Sequence, residues 1–290
     1  MKTNARWPPF LASEYPPVSR EKARFEVIPA PLEKSVSYGR GTGRGPAAIL
    51  VASQQLERWE DGGCPGEAGL YTGPAIVCQG RLEEILNRIE RRVGEAIRGG
   101  RIPVLLGGEH TVTLGAIRAF HRVGQRFGIL QLDAHADLRD RYEGESFSHA
   151  CVMRRAVEHS GAPLFQAGVR ALSEEEIRYR REKGIHHRDA AIVRRFPGYW
   201  YRPLPDDFPE WLYVTVDVDG FDPAVIPATG TPVPGGLSWD EGLGLLRRLT
   251  DGRRVIGFDV VELAPRRGDH ASDFAAARLV YALMGLALRI

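Results

Sequence analysis

Carboxylates and imidazoles gather at the ends of four apolar runs in this chain. Val104-Leu105-Leu106 leads into Gly107-Gly108-Glu109-His110, and Ile129-Leu130-Gln131-Leu132 into Asp133-Ala134-His135-Ala136-Asp137. Leu212-Tyr213-Val214-Thr215-Val216 leads into Asp217-Val218-Asp219, and Val255-Ile256-Gly257-Phe258 into Asp259-Val260-Val261-Glu262. Short apolar runs bounded by Gly and polar residues read as buried strands of a parallel sheet. Parallel strands bring their C-terminal ends to one edge, where open α/β folds place their sites, so the four acidic tips are expected to meet. Asp133, Asp137, Asp217, Asp219 and Glu262 would then crowd one cleft. Two like charges about 4 Å apart repel by roughly 4 kcal/mol at an effective dielectric near 20, and protons or cations must relieve that. His110 and His135 beside carboxylates form a donor set suited to a transition metal, and four ligand carboxylates balance two divalent ions.

Within residues 133–137 the three ligand types fall at every second position. In extended backbone, side chains at i, i+2 and i+4 share a face, so the segment is expected to aim all three into one cavity; a polar strand end with Asp caps is the plainer alternative. Asp217 and Asp219 repeat the spacing, and Asp222, before Pro223, reads as a turn former. His149 follows the acidic cluster by a dozen residues and suits either a proton carrier at the cleft or a surface imidazole. Glu262 at the end of an apolar strand is costly to bury without a cationic partner. The loop 227–236, with three Pro and three Gly, is either a pocket wall or a plain connection. His121, His159, His186, His187 and His270 fall outside these motifs and read as surface or helix residues.

The elements that must position these groups alternate along the chain. Strands are expected at 25–29, 75–78, 102–106, 127–132, 164–169, 211–217 and 254–259. Helices are expected at 46–59, 82–97, 111–122, 174–183, 238–249 and from 271 onward, with 61–73 a loop. Ser238 and Glu241 form a capping box. Repeated strand-helix units imply a parallel sheet covered on both faces. At 290 residues and without a repeat, linker or composition break, the chain reads as a Pro-rich arm (1–24) followed by one domain (25–290).

Composition narrows the partners. The net charge is +2, with acids and bases interspersed, which argues against nucleic-acid and membrane surfaces and for a small metabolite. Cys64, Cys78 and Cys151 are odd in number and form no CxxC pair, so neither a disulfide framework nor a structural zinc site is expected. The N-terminus lacks an apolar signal region, and a reducing cytoplasm is the expected location. The apolar stretch 279–288 is too short to span a bilayer and reads as a buried closing helix.

Taken together, Gly107-Gly108-Glu109-His110, the 133–137 motif, Ser148-His149, the run 216–223, Thr229-Gly230-Thr231-Pro232 with Gly235-Gly236, and residues 259–262 resemble the ureohydrolase family, which includes arginase and agmatinase. They occur in family order from about residue 25 to the end. The resemblance implies a three-layer α/β/α fold around a mostly parallel sheet, an oligomer (trimer or hexamer), and two Mn²⁺ ions per subunit, with Co²⁺ or Ni²⁺ able to use the same ligands. It implies that His110, Asp133, Asp137 and Asp217 hold one ion, and His135, Asp133, Asp217 and Asp219 the other. Glu262 would then pair with a guanidinium, Asp137 would protonate the leaving amine, and His149 would shuttle protons. Arginase-like members place an Asn soon after the Asp-His-Asp motif to read an α-carboxylate; here that stretch is Leu138-Arg139-Asp140-Arg141-Tyr142-Glu143. The expected substrate is therefore agmatine, hydrolysed to putrescine and urea, with Asp140, Glu143 or Glu145 meeting its distal amine. Aminopropylagmatine, guanidinobutyrate or arginine, or a single-zinc deacetylase-like amidohydrolase, are the alternatives.

Overall fold

In the computed structural model, which describes residues 7–195 and 202–289, eight strands form one sheet in the order β2-β1-β3-β8-β7-β4-β5-β6. They are β1 (Phe25–Ala30), β2 (Leu70–Thr72), β3 (Ile102–Gly107), β4 (Gly128–Leu132), β5 (Leu164–Ala167), β6 (His186–Arg188), β7 (Trp211–Asp217) and β8 (Arg254–Val261). Every pairing between them is parallel. The four runs that end in acids are β3, β8, β7 and β4. They lie side by side at the centre of the sheet, so their tips converge as expected.

Alternate residues of each strand serve opposite cores, as the period of two requires. Val104, Leu106, Leu130, Val214 and Val216 join the core under α1 (Gly45–Ala52), α6 (Ala190–Arg195), α7 (Trp239–Thr250) and α8 (His270–Leu288). Leu105, Ile129 and Tyr213 join the other, built with α2 (Leu82–Arg98), α3 (Val112–Arg122), α4 (Val152–Ser160) and α5 (Glu174–Lys183). The result is a three-layer α/β/α fold. Each fully buried Val, Leu or Ile contributes about 1.5–3 kcal/mol, enough to hold the central strands rigid beneath the site. By length and composition α8 could cross a membrane, yet Leu279, Val280, Leu283 and Met284 are all wholly buried in the core.

Several boundaries differ from the sequence expectation for identifiable reasons. Pro46 does stand in the first turn of α1, but the helix stops at Ala52 rather than reaching residue 59. The Ser53 hydroxyl donates to Leu50 O and accepts Leu11 N–H, and Gln54 Oε1 accepts Ser13 N–H. The N-terminal segment thus captures the polar end of the helix, with Phe10, Leu11 and Tyr15 buried in the core beside α8. The strand expected at 75–78 is displaced by β2 at residues 70–72, inside the expected loop; Pro74, without an N–H, follows after Gly73. β6 is three polar residues long at the sheet edge and carries no apolar pattern to read. The capping box at Ser238 and Glu241 is present, and Ser173 with Glu176 makes a second on α5.

Candidate active site

At the C-terminal edge of β3, β4, β7 and β8 the six expected ligand residues come together. His110, on the turn into α3, places Nδ1 2.9 Å from Asp137 Oδ2, 3.2 Å from Asp133 Oδ2 and 3.7 Å from Asp217 Oδ2. His135 Nδ1 lies 3.0 Å from Asp219 Oδ2 and 3.7 Å from Asp133 Oδ1. Two groups therefore have metal-ligand spacing, His110/Asp133/Asp137 and Asp133/His135/Asp219, with Asp133 common to both. Glu262 and His149 line the same cleft, of about 210 Å³, with Tyr38, Arg139, Tyr142 and Thr231.

The local geometry differs from the alternation expected for residues 133–137. The strand ends at Leu132. Asp133 Oδ1 then accepts His135 N–H at 2.6 Å, and on the neighbouring strand Asp217 Oδ1 accepts Asp219 N–H at 2.8 Å. Both acidic tips use the same device, an Asp side chain bonding the backbone two residues on, and this turn rather than extended backbone aims the side chains. Asp137 and Glu262 stand at φ 54° and 63°, the left-handed region that is costly for a residue with a Cβ. Asp137 is held there because its carbonyl accepts Met153 N–H and Arg154 N–H at 3.1 and 3.2 Å, and Glu262 because its N–H donates to Gly108 O at 2.9 Å. Glu262 Oε1 also accepts His110 N–H at 2.7 Å, just before α3.

The electrostatics call for cations. Burial, then Asp219, Asp133 and Glu262, pushes the Asp217 carboxyl well above its usual range. Burial and Asp133 push Asp137 up to about 7. Glu262 is raised by burial and by Glu109 and Asp219, although the His110 N–H opposes this. Burial works against charge on His135, yet Asp219 and Asp133 push its imidazole up to about 12. Behind the cage, Thr215 Oγ1 donates to Asp259 Oδ1 at 2.6 Å and faces His110 Nε2 at 2.8 Å. With its proton committed, Thr215 accepts from Nε2–H, which leaves His110 Nδ1 to carry either a proton or a metal. Nδ1 is buried and has no hydrogen-bond partner among the described residues. An orphaned imidazole nitrogen facing carboxylate oxygens, its other nitrogen held by a hydroxyl-carboxylate pair, is the arrangement of a metal ligand, and the oxygen-rich donor set fits Mn²⁺.

Comparison with known proteins decides the family. The profile of the Arginase family matches residues 23–285. The chain belongs to that family. The N(1)-aminopropylagmatine ureohydrolase of Synechocystis is 38% identical, the match covering 95% of this chain and 92% of the relative. The enzyme of that name from Thermus thermophilus is 36% identical over 92% of this chain and 91% of its own length. Among solved structures, the agmatine ureohydrolase of Thermoplasma volcanium superposes with a TM-score of 0.85 at 30% identity, covering 96% of this chain and 94% of that one. As an arginase-family ureohydrolase, the chain is a hydrolase acting on guanidino groups.

Several residues of this arginase-family site carry no motif. Gln131 Nε2 donates to Asp133 Oδ2 at 2.7 Å, Gln166 Nε2 to Gln131 Oε1 at 2.5 Å, and Arg180 Nε to Gln166 Oε1 at 2.7 Å. Gln131 and Gln166 were legible only as amides interrupting buried strands, where such groups must find partners. Arg170 clasps Asp219 O at 2.6 Å and Val233 O at 2.7 Å, and Asp222 Oδ2 accepts Gly235 and Gly236 N–H, both at 2.8 Å. Loop 227–236 is therefore a pinned wall of the cleft. Asp140, expected near a distal amine, instead pairs with Arg155 and Arg154 at 2.5 and 3.4 Å. Neither it nor Glu143 nor Glu145 lines the cleft. The five remaining histidines are all exposed.

Proposed function

We propose that the chain hydrolyses the guanidino group of an aminopropyl-extended agmatine, releasing urea and a polyamine, with two Mn²⁺ ions in the His110/Asp133/Asp137/Asp217 and His135/Asp133/Asp217/Asp219 positions. The observation that carries this reading is the cage itself, two imidazoles and four carboxylates, all buried but His135, with a fifth carboxylate, Glu262, beside them, in a member of the arginase family. Agmatine gives way to the longer substrate because the relatives at 38% and 36% identity are named for aminopropylagmatine, whereas the agmatine ureohydrolase is 30% identical.

Divalent ions bound there would offset the carboxylates and lower the pKa of water toward neutrality. The protein supplies the rest. Glu262 accepts two guanidinium N–H bonds and fixes the carbon over the floor of the cage. Water adds its oxygen to that carbon, Asp137 transfers one of the water's protons to the alkyl-bearing nitrogen, the bond to that nitrogen breaks, and the second proton leaves the oxygen as the urea carbonyl forms and ends on the released amine. His149 exchanges protons with solvent. At the mouth, the exposed Tyr38 ring, which lines the cleft, offers a face to the substrate's ammonium groups.

Arg139 supports a second reading, since its guanidinium, 5.5 Å from the Tyr142 ring centroid, could instead receive the carboxylate of guanidinobutyrate. A panel of guanidino compounds on Mn²⁺-loaded protein separates the two. The highest kcat/KM is expected on aminopropylagmatine; a higher value on guanidinobutyrate or arginine would overturn the substrate, and no urea from any of them would overturn the reaction.

A further inference from the structure

Resting on the reading of His149 as proton carrier, we infer that Glu109 and Ser35 form a relay that fixes the His149 imidazole with its proton on Nδ1 and presents Nε2 to the cleft. Ser35 comes from a loop remote in sequence, between Glu33, which accepts the Gly41 and Gly43 N–H groups at 3.0 Å each, and the cleft residues Val36 to Gly39. Glu109 is wholly buried. Its Oε2 accepts the Ser35 N–H at 2.7 Å and also the Lys34 N–H, and its Oε1 accepts the Ser35 hydroxyl at 2.9 Å. Ser35 Oγ faces His149 Nδ1 at 3.2 Å and accepts the His149 backbone N–H at 3.1 Å.

The valence count at one oxygen then sets the tautomer. A hydroxyl has one proton to give and two lone pairs to fill. The Ser35 proton goes to a carboxylate that can only accept, so toward the imidazole Ser35 can only accept, and Nδ1 must be the donor. One donated bond and two accepted ones complete the oxygen. The other hydroxyls nearby stand farther off, Thr111 Oγ1 at 3.4 Å from Ser35 Oγ and Ser148 Oγ at 3.4 Å from Nδ1. The ring of Tyr142, 5.5 Å away and edge-on, packs against the imidazole without competing for either nitrogen. Glu109 and Ser35 are positioning residues: they touch no substrate, but they decide which nitrogen of His149 takes up a proton.

Glu109→Gln inverts the logic with little change of shape. The amide oxygen takes the place of Oε2 beneath the two backbone N–H groups, and the amide nitrogen then donates to Ser35 Oγ. The Ser35 hydroxyl is freed to donate to Nδ1, which moves the His149 proton to Nε2. The test is two-bond ¹H–¹⁵N correlation spectroscopy of ¹⁵N-histidine-labelled, metal-free protein, with His149 assigned by His149→Asn. Wild type should show His149 protonated at Nδ1, Glu109→Gln at Nε2, and Ser35→Thr, which keeps the hydroxyl, should match wild type. In Mn²⁺-loaded protein, Glu109→Gln should lower kcat by up to about 10²-fold, the lower end of what a positioned proton carrier contributes, with KM unchanged. Wild-type His149 protonated at Nε2, or a tautomer unmoved in both Glu109→Gln and Ser35→Ala, would overturn the relay. Should Glu109→Gln fail to fold, Ser35→Ala against Ser35→Thr decides. The spectra need no turnover, so an absence of urea release would strike at the proposed reaction and leave the tautomer result standing.

Discussion

At the residue scale, the site separates groups that hold charge from groups that use it. Asp133 and Asp217 are central to the cage, so Asp133→Ala or Asp217→Ala should abolish bound metal and urea release together, measured by elemental analysis beside a urea assay. Glu262→Gln is a different case. Its amide oxygen can still accept the His110 N–H that Oε1 accepts now at 2.7 Å, so metal should remain at wild-type occupancy while kcat falls by roughly 10²-fold or more through lost orientation of the substrate. Retained turnover in that variant would mean Glu262 is not the guanidinium partner. Thr215→Val removes the acceptor that faces His110 Nε2 and leaves the ring unanchored. Loss of such an outer partner typically weakens metal binding about 10–100-fold, and a competitive chelator titration would detect it.

At the scale of elements, β3, β8, β7 and β4 do the positioning, and their identity was legible in the sequence because apolar runs ending in acids are chemically unusual. The three-residue strands β2 and β6 were not legible, since neither is long enough to show a period. The end of α1 was misplaced for another reason: Ser53 and Gln54 bind the N-terminal segment, a tertiary contact with no trace in local spacing. The residues that converge could be named from the motifs, but the turns that aim them could not, because a carboxylate folding onto its own backbone at Asp133 and Asp217 looks identical to alternation on paper. Arg170 was invisible for a similar reason, as its partners are carbonyls of residues 219–221 and 233. Arg170→Ala should release the cleft wall, costing about 2–3 kcal/mol in denaturant unfolding and raising KM more than it lowers kcat. Unchanged KM would show that the wall does not touch the substrate.

At the scale of the whole molecule, folding and metal binding are coupled through the same crowded carboxylates. Asp217 and Glu262 are raised above their ordinary values in the folded chain, and Asp137 from 3.8 to about 7. A group raised on folding stabilises fully below its unfolded pKa and loses that contribution as pH climbs through the folded value. His110 and His135, also raised, act with the same sign above their ordinary 6.5. Asp133 is lowered, by its two histidines working against burial, and its opposite contribution fades only in strong acid. From pH 5 to 8, therefore, the cage should cost metal-free protein stability as pH rises, against the opposing contribution of His149 and His159, which burial lowers, while bound cations replace the missing protons. The rise in Tm on adding Mn²⁺ should be larger at pH 8 than at pH 6; a shift independent of pH would show that these groups do not bind the ion. The central claim is that one sheet edge holds six ligand side chains around two cations. Metal content of the Mn²⁺-loaded, gel-filtered protein tests it most directly: two ions per chain are predicted, falling away in Asp133→Ala, whereas one ion or none per wild-type chain would contradict the account.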